Sequence, residues 1–291
     1  MFRFEPNGAS VQEQFRQIAA DQIDKAIGEL AGDAKDVGET IHRLRRSGKK
    51  LRGLLQLVRP VFADFAEENA AIRDAAATLA HARDAHVTLQ TLDTLAELRL
   101  DDAATLTRIR DGLASRMHDT IDPNILEPFA KTFADLKERA KDWRLGASGW
   151  DAIGPGLERT YRTAQRRMRR ALRTNSAIDH HEWRKSNKHH GFHIDLLDNL
   201  ADDVLGPELK TSERLSDFLG RHHDLAVLGE RMEREGEAFA STEDGDVLKT
   251  VIENETEALE KSAHALGPQV YAEKPSALLE RYAAYWHVHR D

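Results

Sequence analysis

The sequence of 291 residues contains no cysteine, which excludes disulfide bonds, thiol catalysis and thiolate metal ligands. It has no run of about 18 apolar residues, and its first residues lack the basic, apolar and small-residue zones of a signal peptide. We therefore expect a cytoplasmic protein that does not enter a membrane. Aromatic residues make up only 6% and do not interleave the basic segments, so base stacking on aromatic side chains has little support.

Alternating β-branched and aromatic runs, the pattern of strands, are also missing, whereas helical periodicity covers almost the whole chain. We therefore predict an all-α fold. The predicted helices are 10–31, 36–59, 67–98, 103–119 and 124–144, then 156–174, 178–204, 209–238, 244–266 and 275–288. Segment 145–156 is the one clear linker. Long helices with short connections favour antiparallel bundles.

A basic motif occurs twice, first at 42–50 and again at 181–189. Arg83-Asp84 follows the first copy and His223-Asp224 follows the second at a nearly equal offset. Self-similarity at this separation predicts an internal duplication. We place the first half at 1–145 and the second at 150–291.

Charge is unevenly distributed along the chain. The net charge is −8, yet segments 37–59 and 158–173 each carry +6, and segment 181–193 carries +2. The remainder of the chain therefore carries −22. Segregation of this kind favours a polyanionic partner.

Basic side chains share one face on each of three predicted helices, at 100° of rotation per residue. On 36–59 they are His42, Arg45, Lys49 and Arg52. On 156–174 they are Arg159, Arg162, Arg166, Arg169 and Arg173. On 178–204 they are His181, Arg184, Lys185 and Lys188. Guanidinium groups bind phosphate oxygens in a bidentate manner, although a solvated surface would also account for each face.

Catalytic and metal-binding patterns are weak. His189 and His193 have i,i+4 spacing, but no further ligand has helical spacing to complete a metal site. His222 shares a face with apolar residues, and we expect it to be buried and hydrogen-bonded. A carboxylate cluster for Mg²⁺ and a phosphate-binding Gly-Lys loop are not apparent. We therefore expect no catalytic residues, no metal, no cofactor and no enzymatic activity.

These motifs together resemble the CHAD family, the conserved histidine α-helical domain. The family's opening-helix signature is similar to residues 41–52, followed by the Arg83-Asp84 region. The second half is similar at Tyr161-Arg162, Arg166-Arg167, 181–188 and His223-Asp224. The resemblance covers essentially the whole chain. One departure is that the first helix carries only two basic residues, Arg16 and Lys25. It has no counterpart of the arginine face on helix 156–174.

The resemblance implies two antiparallel four-helix bundles related by a pseudo-twofold axis, whose basic faces meet at a central groove or pore that binds inorganic polyphosphate. It also implies association with polyphosphate granules. The predicted polyphosphate-binding residues are His42, Arg45, Arg46, Lys49, Arg52, Arg83, Arg162, Arg166, Arg169, Arg173, His181, Arg184, Lys185, Lys188, His189 and His223.

Two alternatives stay open at this point. The same charge pattern permits a nucleic-acid-binding helical protein, although duplex DNA is not expected as a partner. The chain could also be an accessory subunit of an enzyme that metabolises triphosphate or polyphosphate. Family members often accompany a triphosphate hydrolase domain marked by a Glu-x-Glu-x-Lys strand, which this sequence lacks.

Overall fold

The computed structural model describes residues 2–31, 37–116 and 123–288, apart from the side chains of 31, 80–85 and 123. The helices are α1 (Val11–Ala31), α2 (Val37–Val58), α3 (Phe65–Thr78), α4 (Ala80–Leu98), α5 (Ala103–Ala114), α6 (Glu127–Ala140), α7 (Trp150–Thr174), α8 (Ala177–Leu197), α9 (Asp202–Glu235), α10 (Thr242–Val270) and α11 (Pro275–Val288). Short 3₁₀ turns span Pro123–Leu126, Asp198–Leu200 and Gly236–Ala238. The described residues contain no strand, so the predicted all-α class is confirmed.

Serine side chains begin three of the helices. Ser10 Oγ accepts from the amide of Glu13 at 3.2 Å, and the Glu13 carboxylate accepts from the Ser10 amide at 2.9 Å, which together form a capping box. Ser176 caps α8 and Ser241 caps α10, because each side chain accepts from the amide three residues on. These caps satisfy amides that have no partner within the helix.

The apolar faces bury into two cores. The main core includes α1, α2, α3, α6, α7, α8 and α11, the first part of α9 and the end of α10. The second core joins α4 and α5 to the second part of α9 and the first part of α10. Each core therefore contains helices from both halves of the chain. Two separate bundles at 1–145 and 150–291, related by a pseudo-twofold axis, remain a prediction.

The predicted helix 67–98 is wrong in one respect, because it is divided at Leu79 into α3 and α4. No proline or glycine marks this break. Leu79 is fully buried, and the Thr78 hydroxyl donates to the Ala75 carbonyl oxygen at 2.8 Å. The break lies where the chain passes from α3 in the main core to α4 in the second core, so tertiary packing decides it.

The predicted start of a helix at residue 156 is also wrong, since α7 begins at Trp150 and includes Pro155. Proline there removes one backbone hydrogen bond. Trp150 offsets this loss by packing on Trp286 of α11, with ring centroids 5.9 Å apart. The linker is correspondingly shorter. The predicted helix 178–204 ends earlier, at Leu197, and α9 begins at Asp202 and contains Pro207.

Glycines bring α7 and α8 close to α2. A Cβ at Gly156 of α7 would lie 1.6 Å from the carbonyl oxygen of Leu57, and a Cβ at Gly53 of α2 would lie 2.8 Å from the side chain of Phe192 on α8. The two copies of the basic motif lie on α2 and α8, which pack directly against each other. None of the described helices combines the length and apolar character needed to cross a membrane.

Candidate functional site

A cavity of about 670 Å³ lies between α2, α3, α7 and α8, and we call it the basic cavity. Its lining includes ten lysine and arginine residues: Lys49, Arg52, Arg59, Arg73, Arg159, Arg166, Arg167, Arg184, Lys185 and Lys188. The other lining residues are Gln56, Thr160, Thr163, Ser186, His189 and Phe192. No carboxylate is among the lining residues. The arrangement suits a multiply charged anion.

The α2 side of the cavity continues the face predicted from the sequence. Lys49 and Arg52 line it, and Gln56 and Arg59 extend the same spacing of three and four residues toward the end of the helix. Arg52 Nε donates to the side-chain oxygen of Asn69 on α3 at 3.0 Å, which fixes its direction. Arg59 therefore follows from the helical spacing of the basic face, although it is not among the binding residues predicted from the sequence.

The arginine face of α7 is only partly directed at the cavity. Arg159, Arg166 and Arg167 line the cavity, and the helix face that they share is centred on Thr163. At 100° per residue, the remaining three arginines point about 80–120° away from Thr163. These are Arg162, Arg169 and Arg173, and their role in binding stays a prediction. The structure adds Arg159 and Arg167 to the candidate residues.

Two further sides of the cavity come from α3 and α8. Arg73 of α3 lies close in space to α2 residues although it is outside both copies of the basic motif. On α8, three predicted cations line the cavity, namely Arg184, Lys185 and Lys188. The predicted His189 also lines it. The second copy of the motif therefore supplies three cations to the cavity, whereas Arg73 has no signal in the sequence.

Burial and the neighbouring positive charges lower the pKa of several cations in the cavity. Burial lowers the pKa of Arg52, and the charge of Arg73 adds to this effect. Burial likewise lowers the pKa of Arg59, with a contribution from Arg159. The pKa of the Lys188 ammonium is also lowered, chiefly by burial. Partly dehydrated cations of like charge favour an anionic ligand, because it restores the interactions lost with water.

Two acidic residues at the border of the cavity partly compensate this charge. Asp74 pairs with Arg73 at 2.7 Å. Glu182 pairs with Arg167 at 2.8 Å and also with Lys185. Arg167 additionally donates to the hydroxyl of Ser186 at 2.7 Å. These pairs orient the guanidinium groups and leave the lining with a large excess of positive charge.

A second cavity of about 350 Å³ adjoins the first and shares Lys49, Lys188 and Phe192 with it. Its remaining basic residues are His42, Arg45, Arg46 and Lys50. It is less positive, because Asp195 and Glu213 also line it and Asp195 pairs with Lys50 at 2.9 Å. All four residues of the predicted α2 face thus line one cavity or both.

The predicted histidines occupy different environments. His181 and His223 face each other with ring centroids 4.1 Å apart, and neither lines the basic cavity. Burial lowers the pKa of His181, and Lys185 and Arg184 contribute. Burial and the charge of Arg52 lower the pKa of His189. Arg83 lies outside the described side chains.

The i,i+4 pair His189 and His193 does not form a metal site among the described residues. His193 is fully buried, and its Nε2 donates to the Gly53 carbonyl oxygen at 3.1 Å. His222 is buried and lies 3.2 Å from the Glu260 carboxylate, as its apolar neighbours predict.

Comparison with known proteins agrees with this architecture. The family model described as CHAD domain matches residues 15–233. The chain belongs to the CHAD family. Its fold is similar to that of PptA from Streptomyces chartreusis, with a TM-score of 0.61 and 15% identity over 90% of this chain and 99% of that one.

A second similar structure is the CHAD domain from the plant Ricinus communis. It gives a TM-score of 0.53 and 18% identity over 98% of this chain and 96% of that one. At these identities the similarities show the fold alone. No curated protein matches the chain. The resemblance identified from the two basic motifs is confirmed at the level of the family.

Proposed function

We propose that the chain binds inorganic polyphosphate in the basic cavity and does not catalyse a reaction there. The observation that carries this proposal is the lining itself, in which ten lysine and arginine side chains converge and no carboxylate takes part. A folded protein keeps so many like charges together at a cost, since each pair repels. A polyanionic ligand offsets that cost.

Polyphosphate matches the chemistry of these side chains. The guanidinium groups of Arg52, Arg159 and Arg166 offer planar forks for two oxygens of one phosphate. The Thr160 hydroxyl lies between them as an uncharged donor, whereas the Thr163 hydroxyl donates to the Arg159 carbonyl oxygen at 2.8 Å. A flexible chain loses entropy on binding, and the release of its counterions together with many contacts offsets this loss, as for other polyphosphate backbones.

The shape favours a long ligand over a single phosphate group. The basic cavity and the second cavity share three lining residues and follow α2 from His42 to Arg59. Seventeen residue steps at 1.5 Å each correspond to about 26 Å. A polymer of phosphates can occupy this length and contact several helices at once, whereas orthophosphate contacts only the cations around one point.

Nucleic acid is a weaker candidate than polyphosphate. Among the residues that line the basic cavity, Phe192 is the one aromatic side chain, and single-stranded nucleic acids are usually bound by several stacked aromatic side chains. The absence of carboxylates from the lining also argues against phosphoanhydride hydrolysis by a Mg²⁺ ion held there. We therefore propose a binding module, to which an enzyme could associate as a partner.

A cytoplasmic location at polyphosphate granules follows from this proposal. In cells that accumulate polyphosphate, a fluorescent fusion of the chain should co-localise with the granules. A fusion in which Arg52, Arg159 and Arg166 are replaced with alanine should be diffuse. Equal granule association of both fusions would show that recruitment does not depend on the basic cavity.

A competition assay tests the proposal directly. Labelled long-chain polyphosphate is bound to the purified chain and displaced with unlabelled polyphosphate, duplex DNA, single-stranded DNA or ATP at equal phosphate concentration. We expect polyphosphate to displace the label at the lowest concentration. Equal displacement by DNA would favour the nucleic-acid alternative. Phosphate release is measured in the same samples with and without Mg²⁺, and release that is lost with Arg52→Ala would contradict a non-catalytic role.

A further inference from the structure

Three histidines and one glutamate meet between α8, α9 and α10, away from the basic cavity. His180 comes from α8, His222 from α9, and Glu260 and His264 lie one turn apart on α10. His180 Nε2 is 2.9 Å from His264 Nε2, and His222 Nε2 is 3.2 Å from the Glu260 carboxylate. His180 and His222 stack with ring centroids 4.5 Å apart. We call these four residues the histidine cluster.

The hydrogen bond behind His180 fixes which nitrogen faces the cluster. Its Nδ1 lies 2.9 Å from the Ser176 carbonyl oxygen, which can only accept a hydrogen bond. Nδ1 therefore carries a proton, which leaves Nε2 as the nitrogen that can coordinate a metal ion. A backbone carbonyl behind the distal nitrogen is the usual second contact of a metal-binding histidine.

Glu260 is oriented in a similar way. One carboxylate oxygen accepts from the side-chain amide of Asn175 at 2.7 Å, while the other faces His222. His180 is fully buried, and His222 is 3% exposed. Neutral imidazoles and an ionised carboxylate are the protonation states that bind a metal ion.

Three of the four residues bring their donor atoms close together. One donor atom each from His180, His222 and Glu260 lies within 4.8 Å of the other two. Bonds of about 2.0–2.1 Å to a tetrahedral Zn²⁺ place neighbouring ligand atoms about 3.3 Å apart. The separation of His180 Nε2 from His264 Nε2, 2.9 Å, and that of His222 Nε2 from the Glu260 carboxylate, 3.2 Å, are close to this value. His264 lies outside that group of three and contacts it through His180, so its ring must turn toward the ion to complete the set.

We propose that His180, His222, Glu260 and His264 form a binding site for a divalent transition metal, with Zn²⁺ as the ion that best fits three imidazoles and one carboxylate. Four protein ligands leave no open position, so the site is structural and ties α8, α9 and α10 together. This proposal replaces the sequence-based expectation of no metal. The four ligands come from three separate helices, and only Glu260 and His264 have a local spacing that the sequence could reveal.

The test uses the full chain stripped of metal with a chelator and then titrated with Zn²⁺ alone. Calorimetry and elemental analysis should give one Zn²⁺ per chain, and the thermal midpoint should rise on binding. Co²⁺ in place of Zn²⁺ should give the visible absorption of a tetrahedral site. His264→Gln and Glu260→Gln should each weaken Zn²⁺ binding at least about 100-fold, since each removes one of the four ligands.

His86→Gln is the matched control, because His86 is exposed on α4 and its replacement also removes one imidazole. It should bind Zn²⁺ like the original chain. Circular dichroism before titration shows whether each variant is folded, and polyphosphate binding by His264→Gln should be unchanged. A folded chain that binds no Zn²⁺ stoichiometrically would overturn the site in favour of a hydrogen-bonded histidine cluster. Equal Zn²⁺ affinity in the original chain and in His264→Gln would overturn it as well.

Discussion

The backbone carbonyl oxygen of Leu57 occupies the space that a side chain at Gly156 would need, only 1.6 Å from the position of a Cβ. This contact sets the separation of α2 and α7, which supply the basic cavity with Lys49, Arg52 and Arg59 from one side and with Arg159 and Arg166 from the other. The distance between the two cationic faces is therefore fixed by a backbone contact. A flexible side chain could yield at such a contact, but a helix backbone cannot.

Gly156→Ala should destabilise the fold because α2 and α7 must move apart to admit one methyl group. We expect the free energy of unfolding to fall by about 3 kcal/mol or more, at the upper end of overpacking substitutions. Gly28→Ala in α1 is the control. A Cβ there meets no atom within 4 Å, and alanine should raise stability by about 0.5–1 kcal/mol. Urea denaturation followed by circular dichroism measures both, and equal effects would contradict the close contact.

The helices themselves were predictable because their apolar residues recur at helical spacing. On α2, for example, Leu44, Leu51 and Val58 recur at a spacing of seven residues, and all three are fully buried. The break at Leu79 was not predictable, because no local residue preference favours it. It depends on the existence of two cores, and the partners of α4 and α5 lie more than 100 residues away in the sequence. Long-range packing of this kind leaves no periodic signal.

The candidate site was predictable in part for a similar reason. Helical geometry places Lys49, Arg52 and Arg184 on basic faces, and these faces meet in the structure. Periodicity gives the rotation of each residue about its own helix, but not the direction in which a neighbouring helix lies. The packing of α7 against α2 and α8 therefore decides that Arg159 lines the basic cavity and that Arg162 does not. The sequence pattern of α7 alone could not distinguish the two.

Two double variants on α7 distinguish binding at a defined site from binding that follows total charge. Replacing Arg159 and Arg166 with alanine removes two forks from the basic cavity, whereas replacing Arg162 and Arg169 removes the same charge from the adjacent face. At about 1–1.5 kcal/mol for each contact, the first change should weaken polyphosphate binding roughly 30- to 100-fold. The second should weaken it less than about fivefold, through long-range electrostatics alone.

Calorimetry with long-chain polyphosphate measures both double variants. All four side chains are exposed, so thermal stability should change little in either variant. Equal losses of affinity would show that binding follows total charge. A larger loss from the Arg162 and Arg169 pair would place the ligand on the outer face of α7, where the arginine pattern in the sequence also allows it.

Salt and chain length should both control affinity. If at least five of the ten cations contact phosphates, the logarithm of the binding constant should fall with the logarithm of salt concentration with a slope of about −4. Affinity for long-chain polyphosphate should exceed that for tripolyphosphate at every salt concentration, and orthophosphate should bind poorly. Fluorescence titrations from low to moderate salt measure this. A flat salt dependence, with tripolyphosphate as tight as the long chain, would contradict an extended site.

The free energy of unfolding should depend on pH through histidines that are buried in the core. His190 is fully buried between Tyr161 and Tyr271, and neither ring nitrogen has a hydrogen-bond partner among the described residues. Burial lowers the pKa of His190 to about 3, and that of His193 to about 3 as well. In the unfolded chain both titrate near 6.5. The unfolded state therefore takes up protons first, and stability is lost as the pH falls from about 6.5 toward 3.

Each buried histidine contributes a slope of up to about 1.4 kcal/mol per pH unit in this range. His190→Leu should remove one such contribution, so its free energy of unfolding should fall less steeply between pH 6 and pH 5 than that of the original chain. His86→Gln replaces an exposed histidine and should leave the slope unchanged. Urea denaturation at several pH values measures all three chains. An unchanged slope in His190→Leu would mean that the buried imidazole is protonated in the folded state, with a counter-charge close to it.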